Sequence, residues 1–173
     1  MLDQLNILLS SETLIRYVNT HDWVWPICEM IHYVGMSLVL GLIGLLDLRI
    51  LGFFKGIPIK AFDRFVPIGI VAFVANFLTG MVFVMGNPIG GAAGYLENLS
   101  FQLKMGTIVL ALINLVAFYY SGLHAKAAAV PAGGNAPSGA KALAAMSLVF
   151  WVLVVFFGRM LMYNDTLLLF LGL

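Results

Sequence analysis

The sequence predicts an all-α integral membrane protein, a four-helix bundle that forms one domain over residues 1–173 with a short interfacial helix near its N-terminus. Three observations lead to this prediction. Hydrophobic residues make up 62% of the chain and charged residues 10%, and the mean hydropathy is +1.02, whereas soluble domains carry about 25% charged residues. Four apolar stretches reach the roughly 20 residues that a bilayer crossing needs. Gly- and Pro-containing segments separate these stretches.

The predicted elements follow one another in a simple order. The segment SSETLIRYVNT, residues 10–20, places capping residues before a short apolar pattern, which predicts a helix on the membrane surface. The four spans are predicted at residues 23–46, 65–85, 103–123 and 143–163. Tryptophans at the start of the first span suit the membrane interface. Asn98 or Ser100 is expected to cap the third helix.

The distribution of Lys and Arg predicts an orientation. One side of the membrane holds Arg49, Lys55, Lys60, Arg64, Lys126 and Lys141. The other side holds Arg16, Lys104 and Arg159. Because cytoplasmic loops carry an excess of positive residues, the first and third loops are expected in the cytoplasm. Both termini and the second loop are then expected outside it.

The composition also argues against several classes of function. A net charge of +1 with no basic stripe gives no support for nucleic-acid binding. The single cysteine, Cys28, leaves no internal disulfide and no cysteine-rich metal site. No nucleophile–base pair with a third orienting group is evident, so the chain is not expected to be an enzyme by itself.

Polar residues inside the predicted spans are the candidates for function. Glu29 and His32 lie on one helical face of the first span together with Cys28, Gly35 and Met36. Further polar groups in the other spans are Asn76, Thr79, Lys104, Asn114 and Arg159. An ionisable residue within a membrane is expensive, so it is a functional hypothesis by default. The competing interpretation is that this cluster only fixes the register of the helices, through ion pairs and interhelical hydrogen bonds.

A haem b site near the outer face is the first functional hypothesis. His32 would be an axial ligand, and Gly35 would let the macrocycle approach the helix. The expected cofactor-binding residues are His32, Glu29, Gly35, Lys104, Arg159 and Asn114. His124 would lie roughly 20 Å away in depth, so the second ligand would be a methionine. The expected metal ligands are His32, Met81, Met105 and Met160. Copper is the alternative, because Cys28, His32 and Met36 are soft ligands one turn apart.

The second hypothesis has no cofactor. The chain would then be a small transporter or proton-coupled carrier, or a structural subunit of a larger membrane complex. At the end of the first span, Asp47 and Arg49 are expected to anchor the helix and to satisfy the neighbouring Asp63 and Arg64. Besides the lipid bilayer, the expected partner is a second copy of the chain or a larger complex.

The string WPICEMIHYVGMSLVLGLIGLLDLRILG resembles the W-x-x-P-x-x-E-x-x-H-x-x-G…D-L-R-L-L-G pattern of a family of small bacterial four-span membrane proteins that has no assigned function. FQLKMGTIVLALINLVAF and GRMLMY are similar to the third span and to the end of the fourth span of that family. More loosely, the arrangement resembles copper-resistance D proteins and b-type cytochrome membrane subunits. The resemblance implies a multi-pass protein of the bacterial inner membrane.

Overall fold

The computed structural model describes residue 7 and residues 9–172, and its regular structure there is helical. The four long helices are Val24–Leu51, Val66–Met85, Leu99–Tyr120 and Ser138–Met160. Shorter helices are Glu12–Thr20, Ala93–Leu96, Leu123–Ala128 and Asn164–Leu171, and 3-10 turns lie at Ile59–Phe65 and Leu161–Tyr163. The predicted all-α fold is therefore confirmed.

Four helical segments are long and apolar enough to cross a membrane, which makes the chain a multi-pass membrane protein. These spans are Val24–Leu51, Ile59–Met85, Leu99–Tyr120 and Ser138–Phe170. The shortest has 22 residues, which at 1.5 Å per residue gives about 33 Å, enough for a hydrocarbon core of about 30 Å. Gly52 ends the first long helix in the left-handed conformation, with φ of 114°. Asn98 caps the third, since its side chain accepts from the Phe101 amide at 3.1 Å.

The N-terminal surface helix, Glu12–Thr20, packs on the end of the second span. Its N-cap Ser11 accepts from the Leu14 amide at 3.3 Å, and the Ser11 amide donates to the Met85 carbonyl at 3.0 Å. The predicted interfacial helix is thus present. It defines what we call the terminal side of the bundle, which also holds residues 86–98 and the C-terminal helix. The opposite side, with residues 52–65 and 121–137, is called the basic side.

The four spans do not pack equally with one another. The first span packs against the second and the fourth, and the third packs against the fourth. Small residues such as Ala140 and Ala144 are fully or almost fully buried and allow close approach of neighbouring helices. The second and third spans contact each other little. The bundle is therefore open between these two spans.

Arg49 binds the backbone of the loops on the basic side, which differs from the prediction. Its side chain is fully buried and donates to the backbone carbonyls of Ile57, Lys55 and Gly134, the last two at 3.4 Å. We expected Arg49 and Asp47 to satisfy Asp63 and Arg64, and that expectation was wrong. Arg49 instead ties the first loop to the third, because five N–H donors can bond several carbonyls at once.

Candidate functional site

On the terminal side, His32 of the first span is bonded to the second span. Its Nδ1 donates to Thr79 Oγ1 at 2.8 Å, and the Thr79 hydroxyl donates in turn to the Ala75 carbonyl at 2.8 Å. Because the hydroxyl proton is used in that second bond, the Nδ1 atom carries the proton and Nε2 is left as an acceptor. The ring also packs edge-on against Phe83, with 5.3 Å between centroids.

The first and second spans approach each other closely at Gly35. A Cβ atom there would lie 3.1 Å from the Ala72 carbonyl oxygen and 2.8 Å from the end of the Asn76 side chain. With the Asn76 amide oriented to satisfy both of its polar atoms, it donates to the His32 carbonyl at 2.6 Å and accepts from the Met36 amide at 2.9 Å. The space beside Gly35 is therefore occupied by a helix, where the haem hypothesis placed a macrocycle.

Glu29 accepts a hydrogen bond from Trp25 Nε1 at 3.0 Å. The ion pair that we considered between Glu29 and Lys104 or Arg159 is not formed in the described part of the chain, where the one ion pair lies elsewhere. Tyr95, in the loop above, is close to this carboxylate. Burial raises the pKa of the Tyr95 hydroxyl, and the negative charge of Glu29 raises it further.

Lys104 and Arg159 occupy different environments. The Lys104 ammonium lies against Gly158 of the fourth span and is near enough to His32 for an electrostatic interaction. Arg159 is exposed outside the bundle, where Nη2 donates to the Tyr163 hydroxyl at 3.4 Å and the guanidinium carbon lies 5.3 Å from the Tyr163 ring centroid. Arg159 therefore does not face His32 across a shared pocket, which corrects the predicted arrangement.

The predicted methionine ligands do not point into the bundle together. Met81 and Met105 are 40% and 42% exposed on its outer surface, and Met160 is half-buried. Cys28, His32 and Met36 share one helical face, and all three are half-buried. Among the described residues, no group of three His, Cys, Asp or Glu side chains could hold a metal ion. The haem and copper hypotheses stay predictions.

A cavity lies on the basic side of the described part of the protein. It has a volume of about 460 Å³ and is lined by all four spans, almost entirely by apolar side chains. The second and third spans, which contact each other little, both contribute to its wall. A volume of this size falls within the roughly 300–1,000 Å³ of small-molecule sites. We call it the basic-side cavity.

Polar side chains from three different spans line this cavity, among them Asp47, Asn114 and Ser147. Asp47 and Asn114 are only 6% and 7% exposed, and the Ser147 hydroxyl lies beside the Asp47 carboxylate. Asn114 Nδ2 donates to the Leu143 carbonyl at 3.0 Å, but its Oδ1 has no partner. Asp47 Oδ2 also has none, and these are the two buried side-chain polar atoms without a partner in the described chain. Asn114 thus lines the basic-side cavity. It is not part of the His32 cluster, by which we mean His32, Thr79 and Asn76.

Beside the cavity, an ion pair links the 3-10 turn that leads into the second span with the short helix that follows the third. His124 Nε2 donates to Asp63 Oδ1 at 3.2 Å, and the His124 ring stacks on Tyr119 with centroids 4.4 Å apart. Tyr119 and Phe62, the neighbour of Asp63, are both in the cavity wall. This contact therefore ties together, at the basic side, the segments next to two spans that are otherwise apart.

Sequence reasoning assigned Asp47 to helix anchoring and so missed its place in the cavity. One signal was present in the sequence. Asp47, Asn114 and Ser147 each lie within about ten residues of the basic end of their spans, and a 1.5 Å rise puts them at comparable depth. No protein-family model, curated protein or solved structure matches this chain.

Proposed function

We propose that the protein is a small membrane carrier that binds an amphiphilic molecule in the basic-side cavity. The observation that carries this proposal is the cavity of about 460 Å³, lined by Asp47 and Asn114, each of which has a buried acceptor atom that no group of the described residues satisfies. Small-molecule sites have this character, with mostly apolar walls and a few polar groups that fix orientation.

The energetics of burial support the same proposal. An ionised carboxylate at the centre of a membrane helix costs about 2.5–3.5 kcal/mol on insertion scales, and Asp47, near the end of its helix, carries part of that cost. Leaving a buried acceptor unsatisfied costs about 1–3 kcal/mol more. A group retained at that cost in an otherwise apolar wall is best explained by a ligand or proton that it binds. Access from lipid between the second and third spans would suit an amphiphile.

The finer location is part of this proposal. The basic side, with six Lys and Arg residues against three on the other side, is proposed to face the cytoplasm of a bacterial cell. Both termini would then lie outside the cytoplasm, and the cavity would lie in the cytoplasmic half of the inner membrane. A carrier that takes its ligand from the inner leaflet would be built in this way.

Blocking the cavity tests the proposal. Gly69 lines the cavity, and a Cβ there meets only the tip of Leu42 at 4.0 Å, so Gly69→Leu should fold and fill the space. Gly41→Leu is the matched control, because a Cβ at Gly41 meets nothing within 4 Å and Gly41 is outside the cavity. The probe is tritiated dodecan-1-ol, measured in phosphatidylcholine nanodiscs with empty discs as background.

We expect saturable binding by the wild type and by Gly41→Leu, and at least about tenfold weaker binding by Gly69→Leu, since the added side chain excludes the alkyl chain. Equal binding by the two glycine variants would show that the cavity is not the site. The same variants can then be compared in vesicles for movement of the ligand between leaflets.

Haem b bound to His32 is the second candidate. It is favoured by the hydrogen bond to Thr79, because a metal-binding histidine is commonly oriented through its other nitrogen. Met81, Met105 or Met160 would supply the opposite ligand. A b-type absorption spectrum that is lost in His32→Ala and kept in His21→Ala would support it. A colourless, folded protein from haem-supplied cells would exclude it.

A further inference from the structure

We propose that the molecule bound in the basic-side cavity carries a protonated amine, held by Asp47, Asn114 and Ser147, on an alkyl-like apolar body. This inference rests on the proposed carrier function and names its ligand class. It follows from the kind of hydrogen-bonding groups left open in the cavity, from their charge, and from the walls around them.

The buried polar atoms without a partner, on residues that line the cavity, are acceptors. Asp47 Oδ2 and Asn114 Oδ1 have no partner, whereas the donor end of Asn114 is already used by the Leu143 carbonyl. The Ser147 hydroxyl, beside Asp47, can accept as well as donate. A ligand that satisfies this set must bring hydrogen-bond donors. A carboxylate or phosphate head group brings acceptors and negative charge, so it fits poorly.

Asp47 forms no ion pair with the described residues. Arg49, its nearest cationic neighbour in the sequence, is committed to backbone carbonyls of the two basic-side loops. The one ion pair of the described residues joins His124 to Asp63. A buried carboxylate is stable as an ion only when a positive charge accompanies it. In this cavity that charge would come from the ligand.

A primary ammonium group matches the site in number as well as in charge. It has three N–H donors and no acceptor, and three acceptor side chains, Asp47, Asn114 and Ser147, line the cavity. Charge-assisted hydrogen bonds to a carboxylate are stronger than neutral ones. The remaining wall, which includes Phe73 and Leu115, is mostly apolar and so suits an alkyl chain; its other polar groups are the Tyr119 hydroxyl and the Trp151 indole N–H.

Three twelve-carbon probes with different head groups test this inference. Dodecylamine, dodecan-1-ol and dodecanoate are titrated at pH 7 against the protein in phosphatidylcholine nanodiscs, with empty discs as background. We expect dodecylamine to bind at least about tenfold more tightly than dodecan-1-ol, because a charged hydrogen bond replaces a neutral one. Dodecanoate should bind most weakly.

Two variants show which carboxylate is responsible. Asp47→Asn keeps the shape of the side chain and removes its charge, so the preference for amine over alcohol should disappear. Asp165→Asn is the matched control, because Asp165 is exposed on the terminal side, and it should keep the preference. Ser147→Ala keeps the charge and removes one acceptor, so it should weaken amine binding by a few-fold and provides a second variant if Asp47→Asn folds poorly.

The outcomes separate this inference from the proposed function. If dodecan-1-ol binds as tightly as dodecylamine to the wild type, or if Asp47→Asn keeps the amine preference, the ligand is not an amine but the cavity can still serve a carrier. If none of the three probes binds above the empty discs, the carrier function and this inference both fail. Preferential binding of dodecanoate would show that the site prefers a negatively charged head group, and it would overturn the inference.

Discussion

Buried polar groups are hydrogen-bonded on the terminal side of the bundle, whereas two on the basic side have an oxygen atom without a partner. On the terminal side, His32, Thr79 and Asn76 hydrogen-bond one another or the neighbouring backbone, and they join the first span to the second. On the basic side, Asp47 and Asn114 line a cavity, and each has a buried oxygen atom without a partner. Both groups lie inside spans, so both carry a similar cost of burial.

The difference indicates what each group does. A polar group that is satisfied by a neighbouring helix contributes to helix association, by about 0.6–2 kcal/mol per bond. A polar group that is left unsatisfied lowers stability, so it must be retained for another reason. Before the structure was known, the His32 cluster was the stronger candidate for function. The contacts shift that role to Asp47 and Asn114, whose oxygen atoms remain available.

The largest expected effect comes from Arg49→Met. It removes donors that satisfy carbonyls of both basic-side loops, and bonds to charged groups contribute about 1.5–3 kcal/mol. We expect a loss of about 3 kcal/mol in the free energy of unfolding, measured by SDS titration in mixed micelles. Arg64→Met is the control, because Arg64 is exposed, and it should change stability by less than about 0.5 kcal/mol.

The effect of Arg49→Met also tests whether the two halves differ in how their buried charges are satisfied. If Arg49 is structural, the basic side has a satisfied buried cation and an unsatisfied buried carboxylate only two residues apart. If Arg49→Met were no more damaging than Arg64→Met, Arg49 would be free to accompany Asp47, and the contrast between the halves would be lost.

The next effect is at a close contact of the terminal side. Gly35→Val places a side chain against the Ala72 carbonyl and Asn76, and such overpacking costs about 1–3 kcal/mol. Gly41→Val is the matched control, since a Cβ at Gly41 meets no atom within 4 Å. Thermal melts of the two variants in detergent should show a clear loss for Gly35 only. Equal melting temperatures would mean that the first and second spans are not held closely at this level.

Two leucine substitutions, one in each half, test the contrast between satisfied and unsatisfied buried polar groups directly. Asn76→Leu removes satisfied interhelical hydrogen bonds and should lower the free energy of unfolding by about 1 kcal/mol. Asp47→Leu replaces a carboxylate that has an unpartnered oxygen beside an apolar cavity, so stability should be unchanged or higher. Loss of stability in both variants, measured by the same SDS titration, would show that Asp47 is held by the fold and not retained for a ligand.

Much of the fold was predictable because it depends on composition and spacing. The four predicted spans lie within or close to the observed ones, although the first helix continues to Leu51 and the fourth begins at Ser138. The surface helix and the Asn98 cap follow from local rules for helix ends. These features need only the chain itself and the thickness of a bilayer.

The site was less predictable because it depends on which spans are neighbours. Helical periodicity places His32 and Gly35 on one face, but it does not say that the second span covers that face. Arg159 lies on the fourth span with a sequence that fits either an inward or an outward direction, and the structure turns it outward to Tyr163. Asp47 was judged from its sequence neighbours, whereas its environment is set by three other helices.

The smallest expected effect is at the contact between the segments that adjoin the second and third spans. His124 and Asp63 are 23% and 43% exposed, and partly exposed ion pairs contribute about 0.2–1 kcal/mol. A double-mutant cycle with His124→Ala and Asp63→Ala should therefore give a small coupling energy. The same variants should change the rate at which tritiated dodecan-1-ol is released, because Phe62 and Tyr119, which lie next to the pair, are in the cavity wall. A coupling energy above about 2 kcal/mol would instead make this contact a main support of the basic side, and the two halves would then differ less than the buried groups suggest.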